Sequence, residues 1–343
     1  MLTSLLALLT LLLPAPAPVP GTQPQLATRG DEVVLVVARG TRVGVLRSTD
    51  AGRTFAEATA IEVAGHMSAG RHRGPRVTLA ADAIIVTLIA GAQGGGKDGD
   101  VLAFRSTDHG RTWSGPEVIN DVPGAAREGL HGMAARPDGT VLVTWLDLRE
   151  KGTRLYGAVS DDQGRTWRSD TLVYASPDTT ICQCCHPSVA GSATGFDVLF
   201  RNHIAGNRDM YVTTSPDGRT FAEPVKQGTG TWHLDACPMD GGGLADGPGG
   251  RVSTWRREDR VYLTSVAAPE QALGVGKDPA VGARADAGPD VAFIAANGRV
   301  VLQRGTSAEG LGPGAHPVVA AFPAHTLVAF EQAGAVVTRV VPR

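Results

Sequence analysis

The chain is short of several things, and each shortage narrows the reading. Its charges nearly cancel, with 32 Lys and Arg against 34 Asp and Glu and a net charge of −2 over 343 residues. No basic surplus is there to steer it to nucleic acid. No stretch, the N-terminal apolar run included, is long and apolar enough to span a bilayer. There are only four Cys and four Tyr, the latter at 156, 174, 211 and 262. What is plentiful is Gly, at 44, and Pro, at 22. That supply suits many short strands joined by turns and suits helices poorly. Apolar content of 42% with 19% charged residues describes a soluble globular chain, and its length allows one to three domains.

The N-terminus differs from the rest. Leu5 to Leu13 is apolar and is followed by Pro14-Ala15-Pro16-Ala17-Pro18-Val19-Pro20. The run is too short for a membrane span and reads as the apolar core of an export signal. No Lys or Arg precedes it, and no Cys follows it to carry a lipid anchor. The expectation is a signal over 1–21 and a mature, monomeric chain over 22–343, secreted or periplasmic and free of the membrane.

An eight-residue stretch recurs. Ser106-Thr107-Asp108-His109-Gly110-Arg111-Thr112-Trp113 is echoed from Ser48 to Phe55 and from Ser160 to Trp167, with a worn copy from Thr214 to Phe221. The copies start at 48, 106, 160 and 214, giving spacings of 58, 54 and 54. A fixed period of this size means stacked units of one supersecondary type. Ser, Asp and Gly predict a tight turn in which the Asp carboxylate takes nearby backbone N–H groups. Before each copy, a small-residue strand, a strongly β-branched strand (33–38, 84–89, 141–146, 196–200) and a third strand are expected. Three more units without the stretch have second strands at 252–255, 291–295 and 327–330. Unit starts fall near 24, 75, 133, 187, 243, 279 and 317.

The eight-residue pattern resembles the Asp-box, or BNR repeat, of sialidase-like β-propellers. The resemblance implies an all-β chain folded as a single β-propeller of four-stranded blades. Counting starts favours seven blades; the box period and the six blades of sialidases give six as the alternative. In such a fold the box turn, between third and fourth strands, lies at the rim. The connectors between units gather around the axis on the other face.

Those connectors carry nearly all the reactive side chains outside the boxes. They hold His66, Arg71, His72 and Arg73; Arg127, Glu128 and His131; Cys182, Cys184, Cys185 and His186; His233, Asp235 and Cys237; Lys277 with Asp278; and His316. Turns after second strands add Asp147 and Arg149, Arg201, Arg208 and Arg256. Segregation of this kind marks a functional face.

The sharpest cluster is Cys182-Gln183-Cys184-Cys185-His186 with Cys237-Pro238-Met239. In an exported protein four Cys read as two disulfides, although Cys184 and Cys185 are neighbours and a vicinal bridge is strained. The alternative is a soft-metal site, copper or zinc, built from Cys182, Cys184, Cys185, Cys237, His186, Met239 and His233. Spacing leaves both open.

The family resemblance implies a second chemistry. Arg73-Gly74-Pro75 is similar to the segment that begins the sialidase carboxylate-gripping triad, with Arg208 and Arg256 as later members. Arg127, Arg149 and Arg201 complete the set that would bind an acidic sugar or glycan bidentately. Glu128 matches the activating Glu, and Asp98 and Asp100 lie in the turn of the acid/base. For the family's late Tyr nucleophile the chain offers Tyr262, inside an expected strand, where a packed aromatic is the ordinary role. Asp147 and Arg149 equally fit a mutual salt bridge, and Arg76 a strand lining. The activity implied is a retaining glycoside hydrolase; a metal-handling or redox propeller, or a non-catalytic glycan- or protein-binding one, are the alternatives.

Overall fold

A computed structural model describes residues 17–247, 249–266, 268–284 and 288–343, so residues 1–16 of the expected export signal lie outside the described part. The described residues form strands and turns, with no helix among them. They pair antiparallel into five sheets of four or five strands and one of seven.

The β-branched runs become the second strands. In Glu32–Arg39 every residue between the two ends is buried, and Ala83–Gly91 is buried up to its last residue. Branched side chains pack well on a pleated surface, and a strand covered on both faces reads as a continuous apolar run rather than an alternation. The covering comes from neighbouring sheets. Ile85 and Ile89 meet Val141, Val143 and Trp145 of the next sheet, and Leu142 and Leu146 meet Val198 and Phe200 of the one after. At the far end Leu327 and Phe322 pack on Val33, and Ala329 on Leu35. The last sheet thus covers the first, and the arrangement is a propeller.

Two joints depart from one strand per role. The seven-stranded sheet turns on the long strand Ala268–Gly282. Its first part pairs with Arg260–Ser265 and its second with Asp290–Ala295, the register slipping between Lys277 and Ala280. In the last sheet the outermost strand is Val19–Pro20, which pairs with Val336 and Ala335. The N-terminal and C-terminal segments therefore share a sheet.

The repeated stretch forms the turn between third and fourth strands. In the second copy Ser106 Oγ donates to Asp108 Oδ1 at 2.8 Å and accepts the Gly110 N–H at 2.8 Å. Asp108 in turn accepts the Thr112 N–H at 2.9 Å and hydroxyl at 2.6 Å. The first and third copies repeat these bonds. The fourth keeps the Ser215 and Asp217 contacts. Trp113 donates its indole N–H to Thr59 O of the preceding unit, pinning one unit to the next.

Candidate functional site

Seven chain segments (25–26, 72–77, 132–133, 186–189, 242–244, 278–281 and 317–319) converge on a cavity of about 230 Å³ along the axis. Each belongs to the start of an inner strand or the connector before it. Small residues permit the convergence: a Cβ on Gly132 would stand 2.5 Å from Pro187 O.

His72, His186, His316 and Asp278 meet at this cavity. His72 Nε2 lies 3.1 Å from Asp278 Oδ1. The His72 ring stacks on His186 with centroids 4.8 Å apart and meets His316 edge-on at 4.7 Å. One ligand atom from each of His72, Asp278 and His316 lies within 4.8 Å of the others. Behind them Asp240, 1% exposed, accepts the Asp278 N–H at 3.1 Å. Burial, then the Asp278 charge, pushes the Asp240 carboxyl up to about 6. Burial and the surrounding cations hold His186 and His316 below the usual imidazole range. Arg76, expected to line its strand, does so from a buried position and donates to the carbonyls of His72, Gly74 and Pro75. Burial lowers it to about 10.

A second cluster adjoins the first through the Cys185-His186 link. Cys182 Sγ is 3.6 Å from Cys184 Sγ and 3.5 Å from Cys185 Sγ, all three buried. Met239 packs against them, and Cys237, exposed, lies within reach of Cys184. Arg208 donates to Cys182 Sγ at 3.2 Å. Hydrogen bonds from Cys184 and Cys185, with the Arg201 charge, hold Cys182 far below the usual thiol range. Its charge and the contacts with it push Cys184 up to about 12. Of the expected ligands His186 is beside this group. His233 is exposed and forms a bridge with Asn207 instead.

The arginines are largely engaged within the protein. Arg201, 1% exposed, donates to the carbonyls of Arg208, Asp240 and Arg256. Arg208 also donates to Leu234 O, and Arg256 to Glu258 O. Both Arg201 and Arg256 lie over the Trp232 ring at 5.2 Å. Arg149 is bound to Asp147 and Asp170 and covers Tyr156, which makes the mutual salt bridge its role. Tyr262 is packed beneath Arg257 and stacked on Trp255.

Arg73, Arg127 and Glu128 sit apart from these, on a cleft of about 450 Å³ with Met67, Ser68 and Gly96. Arg73 donates to Glu128 O at 2.6 Å and lies 3.6 Å from its carboxylate. Burial pushes Glu128 up against the pull of both arginines. Asp98 closes its own loop by accepting the N–H groups of Gln93 and Gly94, which lowers it. Asp100 accepts from Asn120 and the Gly124 N–H. Neither faces the cleft as a free acid.

The sequence places the histidines and Asp278 before separate inner strands, and the ring of sheets brings them together. A signal was present: His186-Pro187, Asp278-Pro279 and His316-Pro317 each put a ligand-type residue just before the proline that opens an inner strand.

Together, a ring of antiparallel sheets and repeated box turns between third and fourth strands describe a β-propeller with an axial site. Residues 70–233 match the BNR repeat-like domain. No curated protein matches the chain. Among solved structures it is similar to the GH93 α-L-arabinofuranosidase of Fusarium graminearum bound to arabinobiose. That match has a TM-score of 0.59 and 11% identity, covering 94% of this chain and 92% of that one. It is also similar to the Penicillium chrysogenum α-L-arabinanase bound to arabinobiose, at TM-score 0.57 and 12% identity over 96% of each chain. A Hadza microbial sialidase matches at TM-score 0.56 and 16% identity, over 94% of this chain and 66% of that one. At these identities the likeness is one of fold, that of a β-propeller, and the chain's chemistry rests on its own residues.

Proposed function

We propose that the chain is an exported, monomeric propeller that holds a soft metal ion, copper(I), on its axial face through Cys182, Cys184 and Cys185, with Met239 alongside. One observation carries this reading: three buried thiols, with Cys182 Sγ 3.6 Å from Cys184 Sγ and 3.5 Å from Cys185 Sγ, and the Arg208 guanidinium 3.2 Å from Cys182 Sγ. Thiolates and a thioether are soft donors and suit Cu(I) above harder ions. A cation at a thiolate favours the deprotonated form that binds metal. Seven blades fit the ring if Ala268–Gly282 serves as outer strand of one blade and inner strand of the next. The seven segments at the cavity support the same count.

The test is Cu(I) titration of the reduced full chain against a chelator, with free thiols counted in the protein as isolated. One equivalent bound in the wild type and lost in Cys184→Ser is expected. Four thiols already consumed in two disulfides in the native protein would overturn the reading.

A glycoside hydrolase acting on an acidic sugar is the second reading, and the Arg73, Arg127 and Glu128 cleft favours it. A carboxyl raised by burial is the form a general acid needs, and two arginines beside it suit a carboxylated sugar. Release of a fluorophore from a sialoside or a uronide, abolished in Glu128→Gln with folding intact, would establish it. No turnover on either would remove it.

A further inference from the structure

The histidine cluster at the axial cavity is separate from the thiols, and several independent features make it more than packing. His72, Asp278 and His316 come from three separate chain segments, a connector and two strands, so no local turn accounts for their meeting. Their donor atoms lie within 4.8 Å of one another. Three buried polar atoms at the same place have no hydrogen-bond partner: His316 Nδ1, His186 Nδ1 and Asp240 Oδ1. Buried polar groups are rarely left unpaired, and those that are call for an explanation such as an ion.

The backbone adds a further observation. His72, Asp278 and His316 all have left-handed φ, at 67°, 52° and 49°. Asp278 and His316 also precede proline, which constrains a residue's backbone further. Non-glycine residues held in this region cluster at functional sites.

We propose that His72, Asp278 and His316 bind a divalent first-row transition ion of the zinc type, with open coordination toward the axial cavity. Two imidazoles and one carboxylate are the borderline donor set that such ions prefer; a hard ion such as calcium would require six or more oxygens. His186 stacks on His72 and walls the site on one side. Asp240 fixes Asp278 through its N–H, as outer-shell carboxylates fix ligands. The cavity of about 230 Å³ leaves room for water or a small oxygen ligand on the ion. The site does not depend on the thiols: closing them into disulfides would remove the copper site and leave this one.

Cobalt(II) titration of the full chain separates the two. An ion on His72, Asp278 and His316 gives ligand-field absorption without thiolate-to-metal charge transfer, and Cys184→Ser retains it. His316→Asn and His72→Asn, substitutions that tolerate left-handed φ, should weaken this binding by about 100-fold. Asp240→Asn should weaken it by about 10-fold or more. Both histidine variants should keep the cooperative thermal transition of the wild type. Cobalt uptake showing only the thiolate signature, or undiminished in His316→Asn and His72→Asn, would overturn the proposal. If either variant fails to fold, anomalous scattering from a cobalt-soaked wild-type crystal decides between this position and any other.

Discussion

Single residues here divide into those that hold the ring and those left free for chemistry, and Arg201 belongs to the first kind. Its guanidinium, buried among the carbonyls of Arg208, Asp240 and Arg256, satisfies three acceptors contributed by separate chain segments. Arg201→Met leaves those acceptors without a donor, and each buried unmade bond costs about 1–3 kcal/mol. A loss of about 3 kcal/mol or more is expected in urea denaturation, with the slope of the transition unchanged. His131 makes a different prediction. It is fully buried, with Nε2 3.1 Å from Thr87 Oγ1, and burial together with Arg76 holds it well below the usual imidazole range. The folded state keeps this ring neutral while the unfolded chain takes up a proton below about pH 6.5. Its contribution to stability is therefore complete above that pH and declines as the pH falls toward the folded value. Denaturation midpoints measured from about pH 7.5 to 5 should fall less steeply in His131→Gln than in the wild type; equal slopes would refute the assignment.

At the scale of elements, the box turns work between units as much as within them. Gly164 has φ of 76°, and a Cβ there would lie 2.7 Å from Ile85 Cδ1 of the preceding sheet. Gly164→Ala combines backbone strain with overpacking, each typically about 1–3 kcal/mol, and should lower the thermal midpoint clearly. An unchanged midpoint would mean that the turn does not press on its neighbour. The boxes also set part of the acid response. Burial opposes the shift at Asp50, but bonds from Ser48 and Thr54 outweigh it and lower the carboxyl to about 2. A depressed carboxylate stabilises the fold fully above its unfolded value near 3.9 and loses that contribution as the pH falls toward 2. Asp50→Asn should flatten that part of the acid-unfolding curve. These turns were legible because their bonds are local: Ser, Asp, Gly and Thr within eight residues make them. The β-branched second strands were legible for a similar reason, since burial on both faces leaves a continuous apolar run. The axial cluster was not. Which of the connector residues meet depends on how the units ring the axis, and His72 and His316 are 244 positions apart in sequence (316 − 72). Arg149 shows the reverse case: its neighbour Asp147 was the clue, and that pairing is what it makes.

For the molecule as a whole, the ring is closed by its two ends. Val19–Pro20 completes the last sheet beside Val336 and Ala335, and Arg39 donates to Pro20 O at 2.6 Å. At the other end Arg343 grips Asp290, a residue of the preceding unit that is 1% exposed. Val19–Pro20 covers the first two residues of the outer strand Ala335–Pro342 and shields that part of its edge. This bears on where an export signal would be removed. With the expected boundary near residue 21, a cut would remove Val19 and Pro20 from the last sheet. Val19 and Pro20 should therefore remain in the mature chain, the cut falling earlier among the alternating Pro and Ala residues. N-terminal sequencing of the processed protein checks this, and a start at Pro20 or later would contradict it. A chain made to begin at Gly21 supplies the energetic counterpart. It lacks the Val19 and Pro20 pairing and the acceptor for Arg39, and should lose about 1–3 kcal/mol of stability while keeping the axial site. Equal urea midpoints for the two lengths would mean that the ring closes without its N-terminal strand.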